Sequence, residues 1–426
     1  MFVNLSYGKT GLQVELPDRN VRHVLAMPKL PPVPDPEAAV VAALADPIGT
    51  APLAELAAGR KDAIIVVSDI TRPVPNSVLL RPLLSALVEV GLAPEDILIL
   101  IATGLHRPNT DDELAEMLGP QVMSLGCRIE NHQARDLDAH VSVGVTSQGT
   151  EARVDARYLQ ADLRILTGLV EPHLMAGYSG GRKSICPGIS AADTIMAFHR
   201  AELMDSPLGV SGNLDDNPVD QEAWDVARLA GGADFILNVT LNARREVTGI
   251  FAGDLALAHE QATAHALRQC GVQVSAPVDI VITTSAGYPL DLTFYQGIKG
   301  LDAAAIIVKP GGSIIIAQEN AEGIGGPEYE RMLLQADDLH GLVQCALADD
   351  MREIDLWQLQ KMALVLRKAR VLNYSTGIPQ DVQSQLFVIP VNSVEEAVAD
   401  CLAEHGPDAS IAVMPEGAYL LPSVAG

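Results

Sequence analysis

Three apolar runs in this sequence end in residues that can carry acid–base chemistry or hold an anion. "DAIIVVSDI" (62–70) leads into Thr71 and Arg72, so Asp69 and Arg72 stand at its exit. "DILILIATG" (96–104) leads to His106 and Arg107, and "ADLRILTGLV" (161–170) to "EPHLMAGYSGGRK", with Glu171, His173 and Lys183. Histidine titrates near neutrality, so two histidines can take and return protons at pH 7. Arginine and lysine supply the positive charge that a carboxylate or phosphate needs. Each residue alone reads as well as a structural strand end. Three exits together point to a site.

"GYSGGRKSI" (177–185) looks like the end of a phosphate-cradling P-loop, but Arg182 stands where that pattern needs Gly. The segment "EPHLMAGY" also separates it from the preceding strand, whereas a P-loop turns directly into its helix. Gly180 and Gly181 still offer backbone N–H groups for a phosphate, with Lys183 as tether or charge partner. The plainer reading is a solvated turn lysine. His199, in "IMAFHR", shares a face with Ile195 and Met196 on a predicted helix capped by Ser190 or Asp193. No second His lies four residues away, so a metal there would need ligands from a cofactor or from distant residues. The alternative is a core histidine. In "YPLDLTFYQGIKG" (288–300), Asp291, Tyr295, Gln296 and Lys299 collect in a short stretch. Tyr295 and Lys299 share a face if it is helical, which would suit a carboxylate; an exposed helix start is the other reading.

The elements that must position these residues alternate between strand and helix. Apolar runs at 62–70, 96–104, 161–170 and 233–241 are separated by helical patterns at 77–92, 111–119 and 217–231. The pattern restarts near residue 272, with strands in 278–287, 304–318, 385–391 and 410–417 and helices at 327–335, 352–368 and 393–404. The predicted fold is α/β in two domains. Residues 1–272 form a larger, mostly parallel Rossmann-like sheet with helices on both faces, and 273–426 a smaller α/β lid, with 409–426 packing back on the first domain. "MFVNLSYGKTGLQVELPD" reads as a β-hairpin and "PKLPPVPDPE" (28–37) as an extended connector. In such sheets ligands gather outside the carboxyl ends of the strands, where the titratable residues fall.

Composition narrows the class. Against 54 acidic residues there are 29 basic ones, a net charge of −25, which would repel a nucleic acid. Five scattered cysteines without a CxxC pair argue against a disulfide framework or a structural zinc site. With no signal-peptide pattern and no apolar run near 20 residues, the expectation is a soluble cytoplasmic protein with no membrane partner.

Taken in order, "SDITRP", "ATGLHRP", "EPHLMAGYSGGRKSICPG", "FHR", "NPVD" and "YQGIKG" resemble the nickel-dependent lactate racemase family, from about residue 60 to 325. The resemblance implies a racemase or epimerase of a 2-hydroxy acid, cytoplasmic, with a nickel-pincer nucleotide (pyridinium-3,5-bisthiocarboxylic acid mononucleotide) as cofactor. It implies that Lys183 is joined to this cofactor and that His199 is the single protein ligand of nickel. His106 and His173 match the two general bases. Arg72, Gln296 and Lys299 match residues near the substrate carboxylate, with Asp69 and Tyr295 in support, and Trp357 matches a tryptophan lining the cofactor. Cofactor-biosynthesis proteins would be the partners that load it.

The chemistry suits these residue types on its own terms. Inverting a carbon that bears H, OH and carboxylate by proton abstraction is hard, because the carboxylate resists further negative charge. Oxidation to a planar ketone, with hydride leaving and returning, avoids this and calls for one base on each face. A dehydrogenase with a diffusible nicotinamide would want G-x-G-x-x-G after the first strand, which neither "VVSDITRP" nor "LIATGLHRP" offers. A non-catalytic nickel- or anion-binding protein is the remaining rival. The sequence leaves open lactate, malate, an aromatic 2-hydroxy acid or a sugar acid as substrate.

Overall fold

The computed structural model describes residues 1–348 and 353–425. The chain forms two compact units, and their division does not follow 1–272 and 273–426. Residues 29–199 and 207–269 make the larger unit; residues 1–28, 200–206 and 270–426 make the smaller.

In the larger unit, six strands run in the order Val247–Gly253, Phe235–Leu241, Leu163–Leu169, Ala63–Ser68, Ile97–Ala102, Arg128–Asn131. All neighbours are parallel except the antiparallel pair Phe235–Leu241 and Val247–Gly253. The central strands are apolar on both faces, as a covered parallel sheet requires: Ile64, Ile65, Val66 and Val67 are all buried. Helices Asn76–Glu89 and Asp111–Met123 add Leu79, Leu80, Leu83, Leu84, Leu87, Leu114 and Leu118 to the core on one face. From Ala63–Ser68 the chain builds outward through Ile97–Ala102 and Arg128–Asn131, then returns to place Leu163–Leu169 on the other side. That reversal opens the crevice in which such sheets take ligands.

The smaller unit repeats the plan in a six-stranded parallel sheet: Ile389–Pro390, Ala369–Tyr374, Val308–Ala317, Val278–Thr284, Ile411–Val413, Val21–Val24. The last of these strands comes from the N-terminus, which explains the different division. The predicted hairpin, Phe2–Leu5 with Leu12–Glu15, buries Val3, Leu5 and Val14 against Ile280, Ile282 and Ile315. Pairing across nearly four hundred residues leaves no local trace in a sequence. The tail does not return to the larger unit either, because Leu421–Val424 pairs with Gly271–Val274 inside the smaller one. A further correction concerns 304–307, expected in a strand, which close helix Phe294–Ile307 before strand Val308–Ala317 begins. An apolar "AAAII" has no period that separates buried helix from strand. The helix expected at 352–368 is observed as Leu356–Lys368, and residue 352 lies outside the described residues. No helix among the described residues is long and apolar enough to cross a membrane, and the cysteines form no disulfide there.

Candidate active site

The crevice of the larger unit lies between Ala63–Ser68 and Leu163–Leu169, and the charged residues leaving these strands meet. Arg72, four residues past its strand, forms an ion pair with Glu171, two past the other. His106, beyond the neighbouring strand, hydrogen-bonds through Nδ1 to Asp69 Oδ2 at 2.6 Å. The carboxylate is buried while the imidazole is 61% exposed, so the ring is held from behind and its far edge faces outward. Burial alone would raise the Asp69 pKa; hydrogen bonds from His106 and Thr71 and the charge of Arg72 outweigh it and hold it below the usual range. With Nδ1–H donated to a carboxylate, His106 presents the Nε2 lone pair, the tautomer a general base needs.

His173 is set differently. It sits on a two-residue strand, paired with Gly177, and its Nδ1 accepts the backbone N–H groups of Met175 and Ala176, each at 3.3 Å. An accepting Nδ1 places the ring proton on Nε2. In this arrangement His106 is an acceptor at its outer nitrogen and His173 a donor.

The turn that carries Lys183 is fixed by Arg182, the residue that spoiled the P-loop pattern. Arg182 is fully buried, ion-paired with Asp220 and directed at the Ala176 carbonyl (3.1 Å) and at His259. Asp220 belongs to "NPVD", where the Asn217 side chain caps helix Pro218–Leu229 and also donates to the Met175 carbonyl at 2.9 Å. The motif therefore acts as a clamp on residues 175–182. Gly180 and Gly181 are tightly packed. Added Cβ atoms would lie 2.7 Å from Val170 and from His259 respectively, and the Gly181 N–H is donated to Asn238 Oδ1 at 3.0 Å. The amide nitrogen of Asn238 is buried without a partner.

Held this way, Lys183 lies 5.0 Å above the Phe198 ring. Burial, reinforced by Arg182 and Arg72, pushes its pKa down to about 7, which favours the neutral, nucleophilic amine far more than in an exposed lysine. His199 is the residue that ends helix Ala192–Phe198, whose N-terminus has no side-chain cap; the Ser190 hydroxyl donates instead to the Ile185 carbonyl at 2.9 Å. His199 Nδ1–H donates to the Ile195 carbonyl at 2.9 Å, which puts the lone pair on Nε2. Burial lowers its pKa to about 3. A neutral imidazole whose other nitrogen is held by a carbonyl is the form that ligates a metal.

The remaining candidates lie in the smaller unit, past strand Val278–Thr284, again the strand where the chain reverses direction. Gly297 and Gly300 let helix Phe294–Ile307 lie directly on the sheet: Cβ atoms there would meet Gln318 Oε1 at 2.1 Å and the Thr284 carbonyl at 2.3 Å. The residue before each glycine, Gln296 and Lys299, therefore shares the adjacent helix face. Gln296 Oε1 is buried without a partner. Tyr295 has another task, because its hydroxyl is bonded to Asp355 (3.1 Å) and to Trp357, and burial raises its pKa strongly. Trp357 is itself buried at the start of helix Leu356–Lys368. Arg107, although beside His106, makes a two-pronged ion pair with Glu113 that buttresses the Thr110 capping box of helix Asp111–Met123.

Fold and site together define a two-unit α/β enzyme with a carboxylate-backed histidine and a reactive lysine at its strand exits. Residues 7–211 match the family model "Lactate racemase N-terminal domain" and residues 273–421 "Lactate racemase C-terminal domain". A lactate racemase of Thermoanaerobacterium thermosaccharolyticum is 32% identical over 98% of both chains, and one of Lactiplantibacillus plantarum 35% identical over 88% of both. The lactate racemase apoprotein structure from the former organism superposes with a TM-score of 0.93 over 99% of this chain and 100% of that one. A Thermotoga maritima protein shares the fold at 18% identity (TM-score 0.69, 92% of this chain, 99% of that chain). The chain belongs to the lactate racemase family and is an isomerase, a racemase.

Sequence reasoning missed Arg182, Asn217, Asp220 and His259 as the frame of the Lys183 turn. An Arg in place of the expected Gly was the one available signal. A cluster of His132, His140 and Asp155 also went unremarked.

Proposed function

We propose that this chain interconverts the enantiomers of a lactate-like 2-hydroxy acid. The observation that carries the reading is the Asp69–His106 pair at 2.6 Å, set beside Arg72 at the sheet's crevice. His106 Nε2 takes the substrate hydroxyl proton, and Asp69 stabilises the imidazolium that forms. Arg72, already ion-paired with Glu171, holds the substrate carboxylate as the fixed point about which the planar ketone turns. His173 meets the ketone oxygen in its other orientation. As imidazolium it returns the proton there, and with Nε2 unprotonated it takes the hydroxyl proton of the opposite enantiomer. Both forms give up the Met175 and Ala176 N–H bonds to Nδ1, and the proton balance closes through solvent. Gln296 and Lys299 match residues that the family resemblance assigns to the substrate carboxylate.

A nickel-pincer nucleotide fits the residues present. The His199 ring is neutral, with its lone pair on Nε2, and Lys183 has an amine activated by burial for attachment. When bound, that group supplies the hydride acceptor. Asn238 lies close to Gly180 and Gly181 and holds an unpaired buried donor within the same unit.

The test is a panel of enantiopure 2-hydroxy acids (lactate, malate, an aromatic acid, a sugar acid) given to cofactor-loaded enzyme and followed by chiral chromatography. Lactate should reach a racemic mixture from either side. Inversion of a larger acid but not of lactate would move the substrate, and no inversion of any would overturn the reading.

A further inference from the structure

His132, His140 and Asp155 are buried in the larger unit with ligand atoms within 4.8 Å of one another, apart from the residues used above. His132 follows strand Arg128–Asn131, His140 opens strand His140–Val145 and Asp155 closes strand Glu151–Asp155. The His140 tautomer is fixed by its surroundings, and that of His132, which also meets the Ser190 backbone, is assigned from its contact with Thr103. A carbonyl oxygen only accepts, so His140 carries its proton on Nδ1, 2.7 Å from the Asp136 carbonyl. Thr103 has a single hydroxyl proton, and it is donated to the His132 carbonyl at 2.8 Å. In the 3.4 Å contact between Thr103 Oγ1 and His132 Nδ1 the ring is therefore the donor. Both lone pairs then fall on Nε2, and the two Nε2 atoms face each other at 2.9 Å. Lone pairs at that distance repel unless a cation lies between them.

We propose that His132, His140 and Asp155 bind a divalent cation of the zinc class, at a site separate from His199. Zinc–nitrogen bonds of about 2.0–2.1 Å at a tetrahedral angle set two imidazole nitrogens roughly 3.3 Å apart, so the pair need open by only a few tenths of an ångström. The His140 Nδ1–H bond to a carbonyl is the outer contact that orients a histidine ligand. Asp155 adds the negative third ligand, its carboxylate oriented by the Arg157 guanidinium. The metal would join the ends of three strands beneath residues 189–191. That segment is laced to them through Asp155 N–H to the Ile189 carbonyl (3.0 Å), Ala191 N–H to the Arg153 carbonyl (2.9 Å) and the Val154–Ser190 bridge. Because it directly follows the Lys183 turn, the site acts as a structural staple for that turn.

The test loads metal-free full-length protein with Zn²⁺ alone, removes excess on a desalting column, and measures zinc content and its K-edge absorption fine structure. The wild type and His199→Ala should each retain one zinc per chain with two imidazole ligands. His140→Gln and His132→Gln should lose it, along with the rise in melting temperature that zinc gives the wild type. No stoichiometric zinc in the wild type, or retention in the glutamine variants, overturns the proposal. If the variants do not fold, the ligand count in the wild type decides: fewer than two imidazoles overturns it.

Discussion

At the carboxyl edge of the larger unit's sheet, charged side chains meet one another, Asp69 with His106 and Arg72 with Glu171. At the same edge of the smaller unit's sheet, beside the carboxylates of Asp291 and Glu319, runs a chain of neutral groups. Ser285 donates to Gln318 (2.8 Å), Gln318 to Asn373 (2.9 Å) and Asn373 to Gln383 (2.9 Å), a buried relay of hydroxyl and amides. The first edge can move a proton because it carries a histidine backed by a carboxylate. The neutral chain of the second edge cannot, and its members instead form a stiff floor on which helix Phe294–Ile307 rests through Gly297 and Gly300. One topology thus yields a proton-handling edge and a supporting edge, according to which side chains leave the strands.

This contrast can be broken by substitution, and the largest effects belong to the proton-handling unit. Lys183→Ala and His199→Ala should each reduce racemisation to background, and His199→Ala should lose nickel on gel filtration while keeping its circular dichroism. Full nickel retention there would place the metal elsewhere. His106→Ala and His173→Ala should each lower turnover about 10²–10⁴-fold, the usual cost of a lost general base. Rapid-quench detection of 2-keto acid should separate them, each variant still oxidising one enantiomer, with opposite preferences. Equal loss with both enantiomers in both variants would end the assignment of an opposed pair.

On the supporting edge, Lys299→Ala tests the charge-assisted contact with the substrate carboxylate that the family resemblance assigns to it. Its kcat/KM should fall by about 10–100-fold, without the enantiomer preference seen in the histidine variants. Asp69→Asn tests the pH behaviour of the charged edge. The folded pKa of Asp69 lies below its ordinary 3.8, so its stabilisation is present above that value and lost as pH falls through the lowered one. The gap in melting temperature between wild type and variant should therefore be widest near neutrality and close below about pH 4. A gap constant with pH would show that the pair contributes shape alone. Smallest of all, Arg107→Ala touches only the exposed ion pair with Glu113, and activity should stay within about twofold of wild type.

Much of this was legible before any fold was known, for local reasons. The buried strands announce themselves as apolar runs, and the rule that ligands collect at carboxyl ends picked out Asp69, Arg72, His106, Glu171, His173 and Lys183. Tyr295 was legible as a residue but not as a role, because its bond to Asp355 joins positions sixty residues apart. The close packing at Gly180 and Gly181 was not legible for a related reason: a glycine needed for close packing and one needed for an open nest look the same in a sequence.

The sequence by itself determined the alternation of strand and helix, the apolar centres of both sheets and the types of residue at the strand exits. These depend on periodicity and composition within a dozen neighbours. Only the tertiary structure decided that residues 1–28 complete the smaller unit's sheet and that Arg182 is held by Asp220 and His259. It alone decided that His106 is backed by a carboxylate and that His173 Nδ1 accepts backbone N–H groups. Each of these rests on contacts between distant segments, whose partners are chosen by strand order and burial and not by the residues on either side.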